Sequence, residues 1–295
     1  MSAKIPVTVV VPVRNEEKNL PQCLERLSRF AEVVVVDSNS TDATREVAAR
    51  YGATVLQFDW NGRYPKKRNW TLENHSFATP WVFFLDADEI VDERFCDAVE
   101  RAVRGGSCAG YWINYANVFL GRTLRHGLPQ RKLALFRIGS GLYERIEESA
   151  WSKLDMEIHE HPIIAGAIGE IAEPVEHRDF RGLSKFLEKH IEYAQWEARR
   201  LLRLEADAST GAASLTARQR YKYGNLRRWW YPYAYFLYVY IVRLGVLDGR
   251  AGFLYAFYKC WYFQSIQLLR KEYAGEAVGG ARLSHPASLP KAAAA

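Results

Sequence analysis

The sequence predicts an α/β fold built on a doubly wound, mostly parallel sheet, followed by a helical region. Two observations predict it. Short, strongly apolar runs alternate with helical patterns over the first 105 residues, and from Leu183 onward apolar residues recur at a spacing of three and four. Alternating strands and helices indicate right-handed crossovers, which place the carboxyl ends of the strands along one edge. Ligands of such sheets bind at that edge.

Each predicted element has its own signal. Residues 5–13 form a nearly continuous apolar run, as expected for a strand covered on both faces. The second helix is closed by Gly52, and the fourth by Gly105 and Gly106. The predicted strands are 5–13, 32–37, 54–58, 81–85, 111–119 and 132–138. The predicted helices of this half are 17–29, 41–51, 65–77 and 92–104.

The composition suggests three regions in the 295 residues. We expect a nucleotide-binding catalytic domain at 1–180, a basic and aromatic helical region at 181–275, and a disordered tail at 276–295. Residues 178–228 hold 12 basic and six acidic side chains, a surplus equal to the net charge of +6 for the whole chain. Four widely separated cysteines indicate neither a zinc site nor a disulfide framework.

Polar residues follow three of the predicted strands where they would meet at one edge. Strand one runs into Arg14-Asn-Glu-Glu, strand two into Asp37-Ser-Asn-Ser, and strand four into Asp86-Ala-Asp88. Side chains two apart on extended backbone face the same way, so Asp86 and Asp88 converge and repel each other unless a cation lies between them. This pattern predicts a site for Mg²⁺ or Mn²⁺. The alternative is that the acids end the strand and cap the next helix.

Four stretches together resemble the family 2 glycosyltransferases of the GT-A fold, in matching order and spacing over residues 5 to about 180. They are VVVPVRNEEKNL, VVVVDSNSTDAT, the R-N of PKKRNW, and WVFFLDADE. The resemblance implies a nucleotide-sugar donor and gives roles to seven residues. It implies that Pro12, Arg14 and Glu16 line the nucleotide pocket, Asp37 binds the base, Arg68 the base or diphosphate, Asp86 the ribose, and Asp88 the metal. Alternatively, Asp37 belongs to a helix-capping turn, and one of the lysines before Arg68 is solvated.

A second group of candidate site residues lies in DMEIHEHP, residues 155–162. A zinc protease is excluded because Ile163 stands where a second histidine of H-E-x-x-H is required. Within the family, the sequence is similar to the lipopolysaccharide-core β-glucosyltransferases, with an R-x-L-F-R-like strand, then H-E, then a further histidine. That similarity implies Glu160 as catalytic base, with Glu157 competing, and His159 orienting the base or contacting phosphate.

The same similarity implies roles for three more residues. His177 would complete the metal shell, and Arg131 and Arg137 would bind the diphosphate or the acceptor, since a guanidinium matches phosphate bidentately. For each arginine a surface ion pair is an equal alternative, and His177 is otherwise a structural hydrogen-bonding residue. The loop from His126 to Arg131 is a candidate element to close over the donor. The segment 244–252 predicts only a helix-breaking turn.

The segment 229–242 is apolar or aromatic throughout and would span about 21 Å as a helix, which is too short to cross a bilayer. Its Trp and Tyr residues, next to several arginines, indicate an interfacial anchor on an anionic membrane. Packing on the catalytic domain and dimer formation are the alternatives. Nucleic acid is not an expected partner, because no nucleic-acid-binding module is present.

We therefore expect an inverting, metal-dependent glycosyltransferase at the cytoplasmic face of the inner membrane, peripheral or monotopic. It would move a sugar from a nucleotide-sugar, a UDP-sugar by the resemblance, to a lipid-linked saccharide during lipopolysaccharide-core or exopolysaccharide assembly. Transfer to polyprenyl phosphate is the close alternative. A nucleotidyltransferase is a weaker one, because the turn after the first strand lacks the glycines of a phosphate loop. A non-catalytic membrane adaptor is the last.

Overall fold

The structure is a computed structural model that describes residues 3–148, 151–157, 160–178, 182–206 and 215–279. The chain divides into two compact units. The first comprises Met1–Leu183 together with Arg243–Phe253, and the second comprises Ser184–Val242 together with Leu254–Ala295. The first unit thus includes Arg243–Phe253, a segment that was predicted to belong to the helical region. The domain boundaries at 180 and 275 stay predictions.

A large mixed sheet forms the centre of the first unit. The strands of this unit are β1 Ile5–Val13, β2 Phe30–Asp37, β3 Thr54–Gln57, β4 Trp81–Phe84, β5 Glu89–Ile90, β6 Gly110–Phe119, β7 Arg122–Thr123, β8 Gln130–Arg137, β9 Gly141–Tyr143, β10 Pro162–Ile164 and β11 Ile168–His177. The order in the sheet is β3-β2-β1-β4-β8-β6-β11-β5, and β7 pairs with β6. The strands are parallel from β3 to β4 and mixed beyond, and β9 and β10 form a separate pair.

Helices cover both faces of this sheet, as the doubly wound prediction requires. They are α1 Leu20–Glu25, α2 Thr44–Arg50, α3 Lys67–Asn74 and α4 Glu93–Gly105. Alternate residues of β1 face opposite ways. Val9 packs in a core with Leu24 and Phe95 of helices α1 and α4, whereas Val10 packs in a second core, against which Trp70 of α3 lies. The α/β fold predicted from the sequence is confirmed.

The second unit is helical. Its helices are α5 Leu183–Ala206, α6 Ala217–Leu226, α7 Tyr231–Leu237, a π-helix Tyr238–Val242, and the part of α8 Gly249–Gly279 that follows Phe253. Its core is built from apolar residues of α5, α6 and α8, among them Leu201, Leu226 and Ile266. In the described residues, none of the helices is both long and apolar enough to cross a membrane.

Some element boundaries differ from those predicted from the sequence. Strand β1 matches residue for residue, whereas α1 is only six residues long because the chain from Arg14 to Asn19 forms a loop. Strand β11 escaped prediction, since its alternation is broken by Pro174, where its register with β6 shifts. Helix α8 extends through Gly279, beyond the predicted start of the tail at 276; residues 280–295 lie outside the described residues.

Candidate active site

The loops after β1 and β2 are bonded to each other at the carboxyl edge of the sheet. The backbone N–H of Asn15 donates to Ser40 Oγ at 2.9 Å, and that of Thr41 donates to Asn15 Oδ1 at 2.8 Å. Both Asn15 and Asn39 have positive φ, at 56° and 53°, a conformation that asparagine tolerates better than most residues. These bonds fix two loops, with Arg14 exposed and Glu16 half-buried on the first of them.

Asp37 ends β2 and is fully buried beside these loops. It pairs with Val13 in the parallel ladder, and its carboxylate accepts from the backbone N–H of Ser40 at 3.1 and 3.2 Å and from the Ser40 hydroxyl. This is a turn within the loop and not the helix cap given as the alternative for Asp37, because α2 begins at Thr44 and its N-cap, Ala43, makes no side-chain cap. A carboxylate has about four acceptor positions, and the bonds from Ser40 use three of them.

Asp86 lies at the end of β4 between two cations. Arg68 donates to it at 2.8 Å and Lys132 at 2.7 Å, and Lys132 also donates to the fully buried Glu89 at 2.5 Å. Although burial opposes ionisation, Lys132 and Arg68 hold the pKa of Asp86 well below its usual range. Burial, together with the neighbouring Asp86 and Asp88, raises the pKa of Glu89 to about 8. Lys132 was not among the site residues predicted from the sequence.

Asp88 and His177 are adjacent, as the metal prediction requires. Strand β5 pairs with β11 so that His177 lies opposite Glu89, and His177 Nε2 is 3.7 Å from Asp88 Oδ1. Both side chains are largely buried. Two ligands of one octahedral ion at about 2.1 Å lie roughly 3 to 4 Å apart. Among the described residues, however, no group of three or more His, Cys, Asp or Glu side chains forms a metal cluster.

Three consecutive basic residues at the start of α3 point to three different places. Lys66 pairs with Glu148 and, at 2.7 Å, with Glu160; Lys67 donates to the Val13 carbonyl at 3.0 Å; Arg68 binds Asp86. Their exposed fractions are 6%, 3% and 8%. The expectation that one of the lysines is solvated is therefore wrong. Only tertiary structure could reveal this, because a run of three charges is typical of a surface.

Glu157 is committed to the start of α3. Its carboxylate accepts from the backbone N–H of Arg68 at 2.8 Å and of Asn69 at 3.0 Å, and its carbonyl accepts from the Arg68 guanidinium at 2.6 Å. It thereby satisfies two of the N–H groups that a helix leaves unpaired, and its charge favours the positive end of the helix dipole. Asn69 in turn bonds the backbone of Tyr143 in both directions.

Glu160 lies in a pocket that Glu157 also lines. The pocket is a narrow, partly enclosed cleft, in which Glu160 is buried beside Lys66 and Glu148. Trp60 and Tyr64 supply aromatic surface to its wall. The other lining residues are Gly62, Arg63, Glu144, Ile146, Glu147, Ser152 and Glu157. His159, predicted beside the base, lies outside the described residues.

The two arginines of β8 are not brought to the acids at the end of β4. Arg137 pairs with Trp81 at the opposite end of β4 and stacks on its ring at 4.5 Å, because β8 runs antiparallel to β4. Arg131 stacks on Trp112 at 5.0 Å and lies 3.8 Å from Glu170. The side chain that reaches Asp86 belongs to the next residue, Lys132, which faces the other side of β8 from Arg131. Pro12 is buried in β1 near the edge.

Comparison with known proteins agrees with this arrangement. The model of the family described as glycosyl transferase family 2 matches residues 8–154, which include β1, the Asp37 turn, α3 and the Asp86–Asp88 pair. The chain belongs to glycosyltransferase family 2. The predicted family is thereby confirmed, and the match ends before Glu160 and His177.

Curated relatives of this family 2 chain match it in part. The lipopolysaccharide core biosynthesis glycosyltransferase LpsC of Rhizobium meliloti is 30% identical over 177 residues, which cover 57% of this chain and 61% of LpsC. An uncharacterized glycosyltransferase of Mycobacterium bovis is 41% identical over 86 residues, covering 29% of this chain and 38% of that protein. This chain thus spans less than two thirds of the length of either relative.

Two crystal structures are similar to parts or most of this family 2 chain. Staphylococcus aureus TarS, residues 1–349, is 16% identical with a TM-score of 0.42, covering 91% of each chain. Glucosyl-3-phosphoglycerate synthase from Mycobacterium tuberculosis, in complex with Mn²⁺, UDP and glucosyl-3-phosphoglycerate, is 25% identical with a TM-score of 0.32. That similarity covers 38% of this chain and 43% of the synthase.

Proposed function

We propose that the protein transfers a sugar from a nucleotide-sugar, such as a UDP-sugar, to a hydroxyl of a lipid-linked saccharide. One observation carries the proposal: Asp37, Arg68, Asp86 and Asp88 come from separate segments of a family 2 glycosyltransferase and converge on one sheet edge. Ligands of open α/β sheets bind at that edge. The similarity to LpsC favours lipopolysaccharide-core assembly as the process, with exopolysaccharide assembly as the alternative.

The residues of this edge suit a nucleoside diphosphate. Asp37 retains an acceptor position for a ring N–H group, and Asp86 retains positions for ribose hydroxyls. Arg68 and Lys132 offset the charges of Asp86 and Glu89, which lowers the repulsion of a donor diphosphate at this edge. Arg14, exposed on the first loop, can reach a phosphate from solvent. Donor binding thus draws on charges that the fold already holds in place.

Asp88 and His177 would hold a divalent ion at the same edge. One carboxylate and one imidazole leave several positions for phosphate oxygens and water, as is usual for Mg²⁺ and Mn²⁺ at phosphate-transfer sites. The imidazole favours Mn²⁺ over Mg²⁺, which prefers oxygen ligands. When bound, such an ion neutralises charge on the leaving diphosphate.

Glu160 is the better candidate for the catalytic base. Glu157 has both carboxylate oxygens bonded to backbone N–H groups of α3, so protonating it would weaken the helix cap. Glu160 lines the pocket as Glu157 does, but its carboxylate is held by the ammonium of Lys66. In an inverting transfer, this carboxylate would take the proton of the acceptor hydroxyl as the oxygen attacks the anomeric carbon.

The charge of the Glu160 pocket favours a hydroxyl acceptor over polyprenyl phosphate. Five carboxylates line it, from Glu144, Glu147, Glu148, Glu157 and Glu160, against two cations, from Arg63 and Lys66. Carboxylates accept hydrogen bonds from sugar hydroxyls but repel a phosphate. The aromatic faces of Trp60 and Tyr64 add apolar surface on which a sugar ring can stack.

We place the protein at the cytoplasmic face of the inner membrane, peripheral or monotopic. In the second unit, aromatic and apolar side chains from α7 and its flanks are exposed, including Trp229 at 75% and Val242 at 65%. Arg227 and Arg228 precede them in the chain. Exposed aromatics beside arginines are typical of an interfacial anchor on anionic lipid.

The proposal is tested by screening nucleotide-sugars for binding and hydrolysis with and without Mn²⁺. We expect one nucleoside diphosphate to bind by calorimetry, more tightly with Mn²⁺, and its sugar conjugate to be hydrolysed slowly. Absence of any nucleotide binding would contradict the proposal and favour a non-catalytic adaptor. Release of pyrophosphate from a nucleoside triphosphate would instead favour a nucleotidyltransferase.

A further inference from the structure

A short turn in the first unit exposes apolar side chains to solvent. It comprises residues 243–250, and we call it the apolar turn. Leu244 has a positive φ of 59°, and a 3₁₀ helix, Gly245–Asp248, follows it. The exposed fractions of Leu244, Val246 and Leu247 are 50%, 43% and 63%. Covering these three aliphatic side chains would be favourable, because it would remove apolar surface from water.

The apolar turn is bonded to the loop between β7 and β8. Asp248 accepts hydrogen bonds from the backbone N–H groups of Arg125 at 3.1 Å and His126 at 2.9 Å, and it lies 3.1 Å from His126 Nδ1. The N–H of Gly127 donates to the carbonyl of Arg243 at 2.8 Å. Although burial opposes it, the bonds from His126 lower the pKa of Asp248. The turn is therefore held against the unit that carries the candidate active site.

Glycine is required to close the turn. Gly249 has a φ of 61°, and a Cβ on Gly252 would overlap the carbonyl oxygen of Gly245. These contacts give a physical account of the segment 244–252, for which the sequence alone predicted only a break in the helix. Asp248, Gly249 and Gly252 hold the turn, while Leu244, Val246 and Leu247 are exposed.

Exposed arginines flank the aliphatic side chains along the chain. Arg243 and Arg250 belong to the apolar turn, and Arg125 lies in the loop bonded to it; all three are exposed. Aliphatic groups close to cations complement a bilayer with anionic headgroups. A protein partner would need about 800 Å² on each side, far more than three side chains provide. The charge and the size of the patch therefore favour lipid over a second copy of the chain.

We propose that the apolar turn is a membrane contact of the catalytic unit itself, additional to the aromatic anchor of the second unit. Its aliphatic side chains enter the headgroup region of an anionic bilayer, and its arginines bind the lipid phosphates. The loop that holds the turn leads into β8, where Lys132 follows Gly127 by five residues and donates to Asp86. Contact with the bilayer would thus orient the edge of the sheet where the donor binds.

The inference is tested by sedimentation of the full chain with vesicles of phosphatidylcholine alone or with added phosphatidylglycerol. We expect the double variant Val246→Asp with Leu247→Asp to need at least about tenfold more anionic lipid for half-binding, because each aspartate removes a buried aliphatic side chain and is repelled by anionic headgroups. Ile163→Asp is the matched control, because Ile163 is 64% exposed in the same unit outside the turn. It should bind vesicles as the unaltered chain does.

A second variant tests the charge. Arg125→Glu with Arg250→Glu should weaken binding to the anionic vesicles severalfold and leave binding to neutral vesicles unchanged. The inference is overturned if both double variants bind anionic vesicles like the unaltered chain, or if the aspartate variant abolishes a dimer seen by light scattering without lipid. Nucleotide binding by calorimetry is expected to be equal in all variants, so a failure here is distinguishable from a failure of the proposed function.

Discussion

The donor edge of the sheet and the Glu160 pocket balance charge differently. At the edge, Asp86 and Glu89 share the ammonium of Lys132, and Arg68 adds a second cation. In the pocket, five carboxylates meet two cations. The two cations at the edge match the two carboxylates that they contact, whereas the pocket has a surplus of carboxylates that suits a neutral, hydroxyl-rich molecule. An incoming diphosphate would therefore need further positive charge at the edge, such as that of a divalent ion, while the pocket would repel it.

The largest effect is expected from the pocket. Glu160→Gln should lower kcat by about 10² to 10⁴, the usual contribution of a general base, with little change in donor affinity. Turnover of the nucleotide-sugar with a saccharide acceptor is the measurement. Glu157→Gln is the comparison, and it should mainly lower the melting temperature, because it disturbs the cap of α3. Equal losses of kcat in the two variants would contradict the proposal that Glu160, and not Glu157, is the catalytic base.

A smaller effect is expected at the metal pair. Asp88→Asn should lower kcat by about 10² to 10³, as when one electrostatic stabiliser of the leaving group is removed. Calorimetry should show that the Mn²⁺-dependent part of nucleotide binding is lost. His177→Ala should weaken that part without abolishing it. If Asp88→Asn retained full turnover and full Mn²⁺ dependence, the donor edge would need another metal ligand.

Donor affinity distinguishes the two faces of β8. Lys132→Met should weaken nucleotide binding by about tenfold, the effect of one charge-assisted hydrogen bond. Arg131→Met, the neighbour predicted from the sequence, should have a smaller effect because its side chain stacks on Trp112. Titration with the nucleoside diphosphate measures both. The reverse order would restore the interpretation made from the sequence.

The smallest effect concerns pH. The folded pKa of Glu89 is about 8 against an ordinary 4.5, so between these values the folded protein holds a proton that the unfolded chain has released. The free energy of unfolding should therefore fall as pH rises through this interval, by up to about 1.4 kcal/mol per pH unit. Urea unfolding without added metal measures it. Glu89→Gln should flatten the slope, and an unchanged slope would show that Glu89 is ionised in the fold.

The sequence predicted the parts of the site that lie in regular strands. Continuous apolar runs located β1, β2 and β4, and the residues that follow each run therefore lie at one edge, as expected. What it could not give is which side of a strand faces which neighbour. Lys132 rather than Arg131 reaches Asp86, and one residue of offset decides that. Nor could it show that Glu157 caps α3, which depends on residues 88 and 89 positions apart.

The three basic residues Lys66, Lys67 and Arg68 have one further consequence. They are consecutive, yet the first holds the proposed base and the third holds the carboxylate expected at the ribose. A shift of this tripeptide by an ångström would displace both at once. Substitutions there should therefore alter the Michaelis constants of donor and acceptor together, and a variant selected for a new acceptor at this position would be expected to change its preference for the nucleotide as well.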